Sequence, residues 1–191
     1  MKRNLLISIC FTLATTLLFG IIYPLVVTGL AQVLFPKQAN GELIRKDGQL
    51  VGSHLIGQPF TAAGYFYSRP SAAGTAGYDA TASGGSNLGP TNKALIDRVN
   101  ARVQQLQPTN PNVTVPVDLV TTSGSGLDPD ISPASAEYQV SRVASERGMS
   151  EQDVRAVVSK HTKGRQLGFL GERRVNVLDL NLDLDATHPR H

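Results

Sequence analysis

Ser83, Gly84, Gly85, Ser86 and Asn87 have the composition of a phosphate cradle. Glycines let backbone N–H groups approach an oxyanion, and the flanking hydroxyls and amide add donors. The segment lacks the lysine and following hydroxyl of a P-loop, so alone it is a bare Gly-rich motif. Asp128 and Asp130, in a run of Gly, Asp and Pro, are oxygen ligands of the kind a hard cation takes. Calcium wants about six to eight oxygens, more than this loop supplies, so a turn locked by Asp and Pro is the simpler expectation and no metal is assigned. Asp179, Asn181, Asp183 and Asp185 also form a row of potential ligands. At period two they read as the solvated face of a half-buried strand.

No catalytic constellation emerges. A serine nucleophile needs a base in reach, and the histidines are His54, His161, His188 and His191, two of them in the tail. No G-x-S-x-G elbow is present. Two consecutive helical patterns joined by Arg147-Gly148-Met149 suggest a helix-turn-helix, hence a membrane-tethered DNA binder as the alternative function. The second of these helices offers only Arg155, Lys160 and Lys163, a thin charge for a phosphate backbone, so nucleic acid is not expected.

The elements that must position these residues follow from periodicity and punctuation. Leu43-Ile44 and Leu50-Val51 flank Asp47-Gly48, the signature of a hairpin, and a further strand is expected over 54–60. Residues 71–90, rich in Gly, Ala and Ser, read as a long surface loop. Thr91 or Asn92 caps a helix whose Leu95, Val99, Val103 and Leu106 share a face, and Pro108 and Pro111 end it. A strand is expected over 113–121 and a loop over 123–133. Ser132-Pro133 opens a second helix with Tyr138, Val140, Val143 and Ala144 inward and Gly148 as its stop. Ser150 with Asp153 makes a capping box for a third, carrying Val154, Val157 and Val158 and ended by Gly164. Residues 174–184 alternate Leu178, Leu180, Leu182 and Leu184 against polar neighbours, the cleanest strand signal in the chain. The expected class is α+β, with a small sheet and about three helices in the soluble part.

All of this hangs on an N-terminal apolar run. Residues 4–36 carry no Asp, Glu, Lys, Arg or His. A helix over about 5–30 would measure roughly 39 Å, enough to cross a hydrocarbon core of about 30 Å with some tilt. Pro24 should kink it near Gly20. The rival is a cleaved signal peptide, with Lys2 and Arg3 as its n-region and Gly29-Leu30-Ala31 as a weak cleavage site. The stretch is far longer than an h-region of about 7–15 residues, which favours a retained anchor. Cys10 follows bulky Ile9 and is no convincing lipoprotein cysteine. Inside the span Ser8, Thr12, Thr16, Gly20, Pro24 and Thr28 recur at every fourth position, a ridge suited to docking another membrane helix. The Lys2-Arg3 pair before the span, against Lys37, Arg45 and Lys46 after it, favours a cytoplasmic N-terminus and a C-terminal domain outside, on a single-pass inner-membrane protein. The organisation is then 1–36 for the membrane segment and 37–191 for a soluble, external domain. Of 191 residues about 155 remain for it, one domain's worth. Net charge is +3 without a basic run, and the sole Cys lies in the apolar segment, so the external part has no disulfide.

The segments IIYPLVVTGLAQVLFP, GSHLIGQPF, YFYSRPSA, SGGSNLGPTN, SGSGLDPDISPASAEYQVSRVA and RRVNVLDLNLDLD, taken as a set, resemble the C subunit of the bacterial potassium-transporting P-type ATPase, the KdpC family. The resemblance covers nearly the whole chain. It implies a non-catalytic accessory subunit of an ATP-driven potassium importer, whose partners are a channel-like subunit that binds potassium and a P-type subunit that hydrolyses ATP. This chain has no D-K-T-G motif and cannot be the phosphorylated subunit. The family role is described as a catalytic chaperone raising the ATP affinity of the hydrolysing subunit, which makes Ser83, Gly84, Gly85, Ser86 and Asn87 its nucleotide candidates. No cofactor is expected to be held firmly, ATP entering through the complex.

Overall fold

The structure, a computed structural model, describes residues 1–188, so His191 lies outside the described residues. The chain divides into two compact units, Met1–Leu43 and Ile44–His191.

The first unit is one long helix and a short one. Helical structure runs without a break over Lys2–Leu34, long and apolar enough to cross a membrane, with none of its residues buried. Its two α segments, α1 (Lys2–Leu17) and α2 (Tyr23–Leu34), are joined by a π turn at Leu18–Ile22. The turn sits where Pro24 requires it. Pro24 has no N–H for the Gly20 carbonyl and its ring would strike that oxygen, so the backbone widens and the Tyr23 N–H bonds back to Leu18 O. A four-residue helix, α3 (Pro36–Ala39), follows, and Asn40 Nδ2 donates to both Gln32 Oε1 (3.0 Å) and Pro36 O (2.6 Å).

Next along the chain is the hairpin β1 (Leu43–Lys46) and β2 (Gln49–Ser53), whose turn places Asp47 at φ 51° and Gly48 at φ 79°. Two positive φ values match the right-handed twist of the strands. The strand expected over 54–60 does not form. A Ser53–Ile56 bridge closes a turn, and Gly57 presses so near Asp128 that a Cβ would lie 2.5 Å from its carbonyl oxygen. Helix α4 (Lys93–Leu106) is capped by Asn92, whose side chain accepts from Ala94 N. Residues 113–121 are not a strand either: Pro116 removes a ladder donor and the chain turns through a 3₁₀ segment, Val117–Leu119.

The remaining elements are β3 (Asp130–Ile131), α5 (Pro133–Arg147), α6 (Glu151–His161), β4 (Thr162–Lys163), β5 (Arg174–Asn176) and α7 (Val177–Thr187). The strands form an antiparallel sheet in the order β3-β5-β4, with Ile131 opposite Val175 and Thr162 opposite Val175 on the other side. With the hairpin this gives two small sheets among helices, a mixed α+β architecture. Ser132 caps α5, Gly148 ends it at φ 63°, and Ser150 caps α6 by accepting from Asp153 N.

Helix α7 corrects the clearest expectation. Leu178 to Leu184 is helical, not extended. Asn176 accepts from Asp179 N as an N-cap, and Val177, Leu180, Asn181 and Leu184, spaced as one helical face, are buried. Alternation of Leu with Asp hid a 3.6-residue period, and leucine has no β-branch to favour a strand. The main core joins Phe66, Ile131, Val140, Val143, Val154, Val175, Leu180 and Leu184, and a second cluster gathers Leu106, Val115, Leu119, Val120 and Tyr138.

Candidate functional site

Residues 83–87 lie against the 123–126 segment of the same unit. Gly84 N donates to Ser125 O (2.8 Å), and the Ser83 hydroxyl donates to the same oxygen (3.1 Å). Gly126, at φ 69°, allows this approach: a Cβ there would lie 2.6 Å from Gly84 O and 2.8 Å from Ala73 N. Two of the five candidate residues therefore spend a donor on loop-to-loop packing. Gly85, Ser86 and Asn87 make no hydrogen bond among the described residues, and Asn87 stands at φ 51°. Gly85 is the tightly placed glycine, its Cβ position 3.1 Å from Gly124 O, whereas Gly84 has room.

The loop that carries them, 71–90, is more firmly held at its start than a surface loop. Ser71 Oγ donates to Gly126 O (2.6 Å) and accepts from Ala73 N (3.1 Å) and Tyr78 N (2.7 Å). Tyr78 OH donates to Arg69 O (2.5 Å), and burial raises the phenol's pKa. Arg69 in turn holds Asp128 (3.1 Å) and Thr122 O (3.3 Å). No local pattern marks Arg69 as a site residue beyond the run YFYSRPSA, which sets an arginine among aromatics and Pro.

Asp128 and Asp130 serve the turn. Asp128 Oδ1 accepts from Asp130 N (3.0 Å), and Asp130 pairs with Arg174 (3.0 Å). Burial raises the Asp130 pKa against the opposing pull of Arg174. These groups line an open cleft of about 440 Å³ together with Asp118 and Arg173. Asp118 accepts from Ser132 N (2.7 Å) and from the Ser135 hydroxyl, anchoring the start of α5. Among the described residues no group of three His, Cys, Asp or Glu side chains could hold a metal ion.

The acidic row on α7 is not a solvated strand face. Asp179 meets His54 (2.5 Å) and Lys163 (3.9 Å), Asp183 meets Lys160 and His161 (2.8 Å each), and Asp185 meets Arg147 (2.9 Å) and Tyr65 OH (2.7 Å). Asn181 is buried, accepting from Phe66 N (2.9 Å) and donating to Phe66 O (3.0 Å). The helix-turn-helix reading fails on the same pairings. Arg155 of α6 is held by Glu137 and Glu151, and Lys160 by Asp183, so the supposed recognition helix has little charge to offer DNA.

In the first unit the six ridge residues all lie on the Lys2–Leu34 helix and are exposed. Ser8 bonds back to Asn4 O (2.8 Å), while the hydroxyls of Thr12, Thr16 and Thr28 have no partner among the described residues. A four-residue step advances about 40° around an α-helix, so an unbroken row from Ser8 to Thr28 would drift about 200°. The π turn holds about one residue more than an α turn and takes back about 100°. The row is thereby folded onto roughly a third of the circumference.

The family model for K+-transporting ATPase, c chain (KdpC), matches residues 5–186. The chain is 60% identical over 189 residues to the potassium-transporting ATPase KdpC subunit of Koribacter versatilis, covering 99% of this chain and 97% of that one. It is 57% identical to the subunit of the same name from Rhodopseudomonas palustris (97% and 99% covered) and 56% identical to that of Methylibium petroleiphilum (99% and 100%).

Proposed function

This chain belongs to the KdpC family, K+-transporting ATPase, c chain, and we propose that it acts as a non-catalytic assembly subunit of a potassium-importing P-type ATPase. The apolar helix crosses the inner membrane with its N-terminus in the cytoplasm and docks through Ser8, Thr12, Thr16, Gly20, Pro24 and Thr28 among the helices of its partners. Those partners are the potassium-binding, channel-like subunit and the ATP-hydrolysing subunit. The remaining domain stands outside, stabilises the assembled complex, and raises the ATP affinity of the hydrolysing subunit indirectly, through a coupling free energy between sites.

One observation carries this reading: an apolar helix with no buried residue, whose small and hydroxylated residues are gathered onto one face by a π turn. In lipid such a face gains from close backbone approach and from hydroxyls that find carbonyls on a neighbour. The topology follows from Lys2 and Arg3, clustered before the span.

The test is Gly20→Leu. A Cβ at Gly20 meets only its own Thr16 Cγ2 at 3.8 Å, so the helix tolerates a side chain there and only a docked neighbour would be displaced. Overpacking of this kind costs about 1–3 kcal/mol, which should weaken co-purification of the other subunits about tenfold. Undiminished co-purification would remove the ridge. Protease treatment of spheroplasts checks the topology, since an external domain is cut and an internal one is spared.

A second reading has its own support, the unbonded amides and side chains of Gly85, Ser86 and Asn87. Direct nucleotide contact through Ser83–Asn87 needs this loop to reach ATP. Ser86→Ala should then reduce photolabelling of the purified subunit by an azido-ATP analogue, and equal labelling would end that reading.

A further inference from the structure

Beyond this reading, the segment joining β4 to β5 has chemistry that neither the fold nor the proposed function uses. Every residue from Lys163 to Arg173 is exposed. The chain leaves the sheet as a narrow hairpin: Gln166 and Leu170 exchange both backbone hydrogen bonds at 2.9 Å, and Arg165 clamps Glu172 at 2.6–2.8 Å. At its tip stand Leu167, Phe169 and Leu170, exposed by 82%, 70% and 46%. Leu167 holds φ 53°, a left-handed conformation in which its Cβ crowds the following carbonyl oxygen. An exposed leucine kept in a strained turn beside an exposed phenylalanine has no folding rationale. Burial elsewhere would repay it.

The surroundings identify what covers the tip. Lys163, Arg165, Arg173 and Arg174 flank it; Glu172 offsets Arg165 and Asp130 offsets Arg174, which leaves Arg173 and Lys163 to face an anion. Arg173 makes no ion pair among the described residues, and Lys163 reaches Asp179 only at 3.9 Å. An apolar tip above a basic collar suits an anionic bilayer: side chains enter the acyl boundary while the cations meet lipid phosphates. The chain also carries its own apolar helix, so a second membrane contact is intramolecular and needs little intrinsic affinity. We infer that the 163–174 hairpin is a membrane-surface contact, inserting Leu167, Phe169 and Leu170 among anionic phospholipids. The inference rests on the N-terminal helix being a retained anchor.

The chain has no tryptophan, so Phe169→Trp places a sole indole at the tip. The full chain carrying it is reconstituted into phosphatidylcholine vesicles containing phosphatidylglycerol, with and without brominated acyl chains. Its emission should shift to the blue and be quenched by bromine, while a Val113→Trp reporter, on a different exposed loop, is not. Adding Arg173→Gln should weaken tip insertion about fivefold, the worth of one cation at an anionic surface. Insertion equally strong in pure phosphatidylcholine would overturn the headgroup assignment. Loss of bromine quenching once the other subunits are present would assign the tip to a protein partner and overturn the lipid reading. A chain that floats with vesicles but shows a water-exposed, unquenched indole overturns this inference alone. One that does not float takes the anchor reading with it.

Discussion

The apolar helix of the first unit and α7 of the second are both rich in leucine, and they obey opposite rules. Over Lys2–Leu34 no residue is buried and no charged side chain occurs after Arg3. Over Val177–Thr187 Leu178, Leu180 and Leu184 are inside, Leu182 is half-buried, and every acid is tied to a basic side chain from a different part of the unit. One helix has an unsatisfied surface and the other has none. The difference teaches where each finds its stability: α7 from contacts within its own unit, the apolar helix from whatever surrounds it.

The sharpest break of this comparison is a pair of identical truncations. Leu180→Ala removes a fully buried side chain from the main core and should cost about 2–5 kcal/mol. In a unit of this size that lowers the melting temperature by roughly 2–4 °C per kcal/mol. Leu13→Ala, at a position 65% exposed on the apolar helix, should leave that transition unmoved. Near-ultraviolet circular dichroism of the full chain in detergent reads both. An equal shift for the two variants would show that the apolar helix is part of the same cooperative structure.

The same contrast explains what could be read from the chain. The apolar run was legible because it needs only composition and length. Helices α4, α5 and α6 were legible because Asn92, Ser132-Pro133, Gly148 and the Ser150/Asp153 pair mark their ends chemically. Helix α7 was misread because its acids, counted as solvated, are partnered by His54, Arg147, Lys160, His161 and Lys163, and no local pattern announces partners so distant in sequence. The capping signal was present: Asn176 stands three residues before Asp179, immediately ahead of the leucines. The strand expected over 113–121 failed in a similar way. Val115, Leu119 and Val120 are buried, but they reach the second core from a turn rather than a ladder. In the candidate loop the glycines were visible, yet their use was not, because Gly126 permits the close approach of Gly84 and Ser125 from forty residues away in the chain, on the order of a whole element pair.

The gentlest test of the comparison is electrostatic. Hydrogen bonds from Lys160 and then His161 lower the Asp183 pKa below its ordinary value. A carboxylate whose pKa is lowered in the folded state contributes stability that is fully present above the unfolded value, about 3.9, and is lost as pH falls through the folded one. The cluster is near the surface, so solvent screening limits it to about 0.2–1 kcal/mol. Asp183→Asn should therefore lower the melting temperature slightly at neutral pH, and the deficit should begin to shrink below about pH 4 and vanish once pH has fallen through the lowered folded-state value, where the native carboxyl is neutral too. Because the apolar helix holds no titratable side chain between Cys10 and Tyr23 and no acid at all, the whole of this acid-limb difference belongs to the second unit. A deficit that stayed constant from neutral pH into that acid range would mean that Asp183 acts through packing at the end of α7, and that the ion pairs on this helix are consequences of its position rather than part of what holds it.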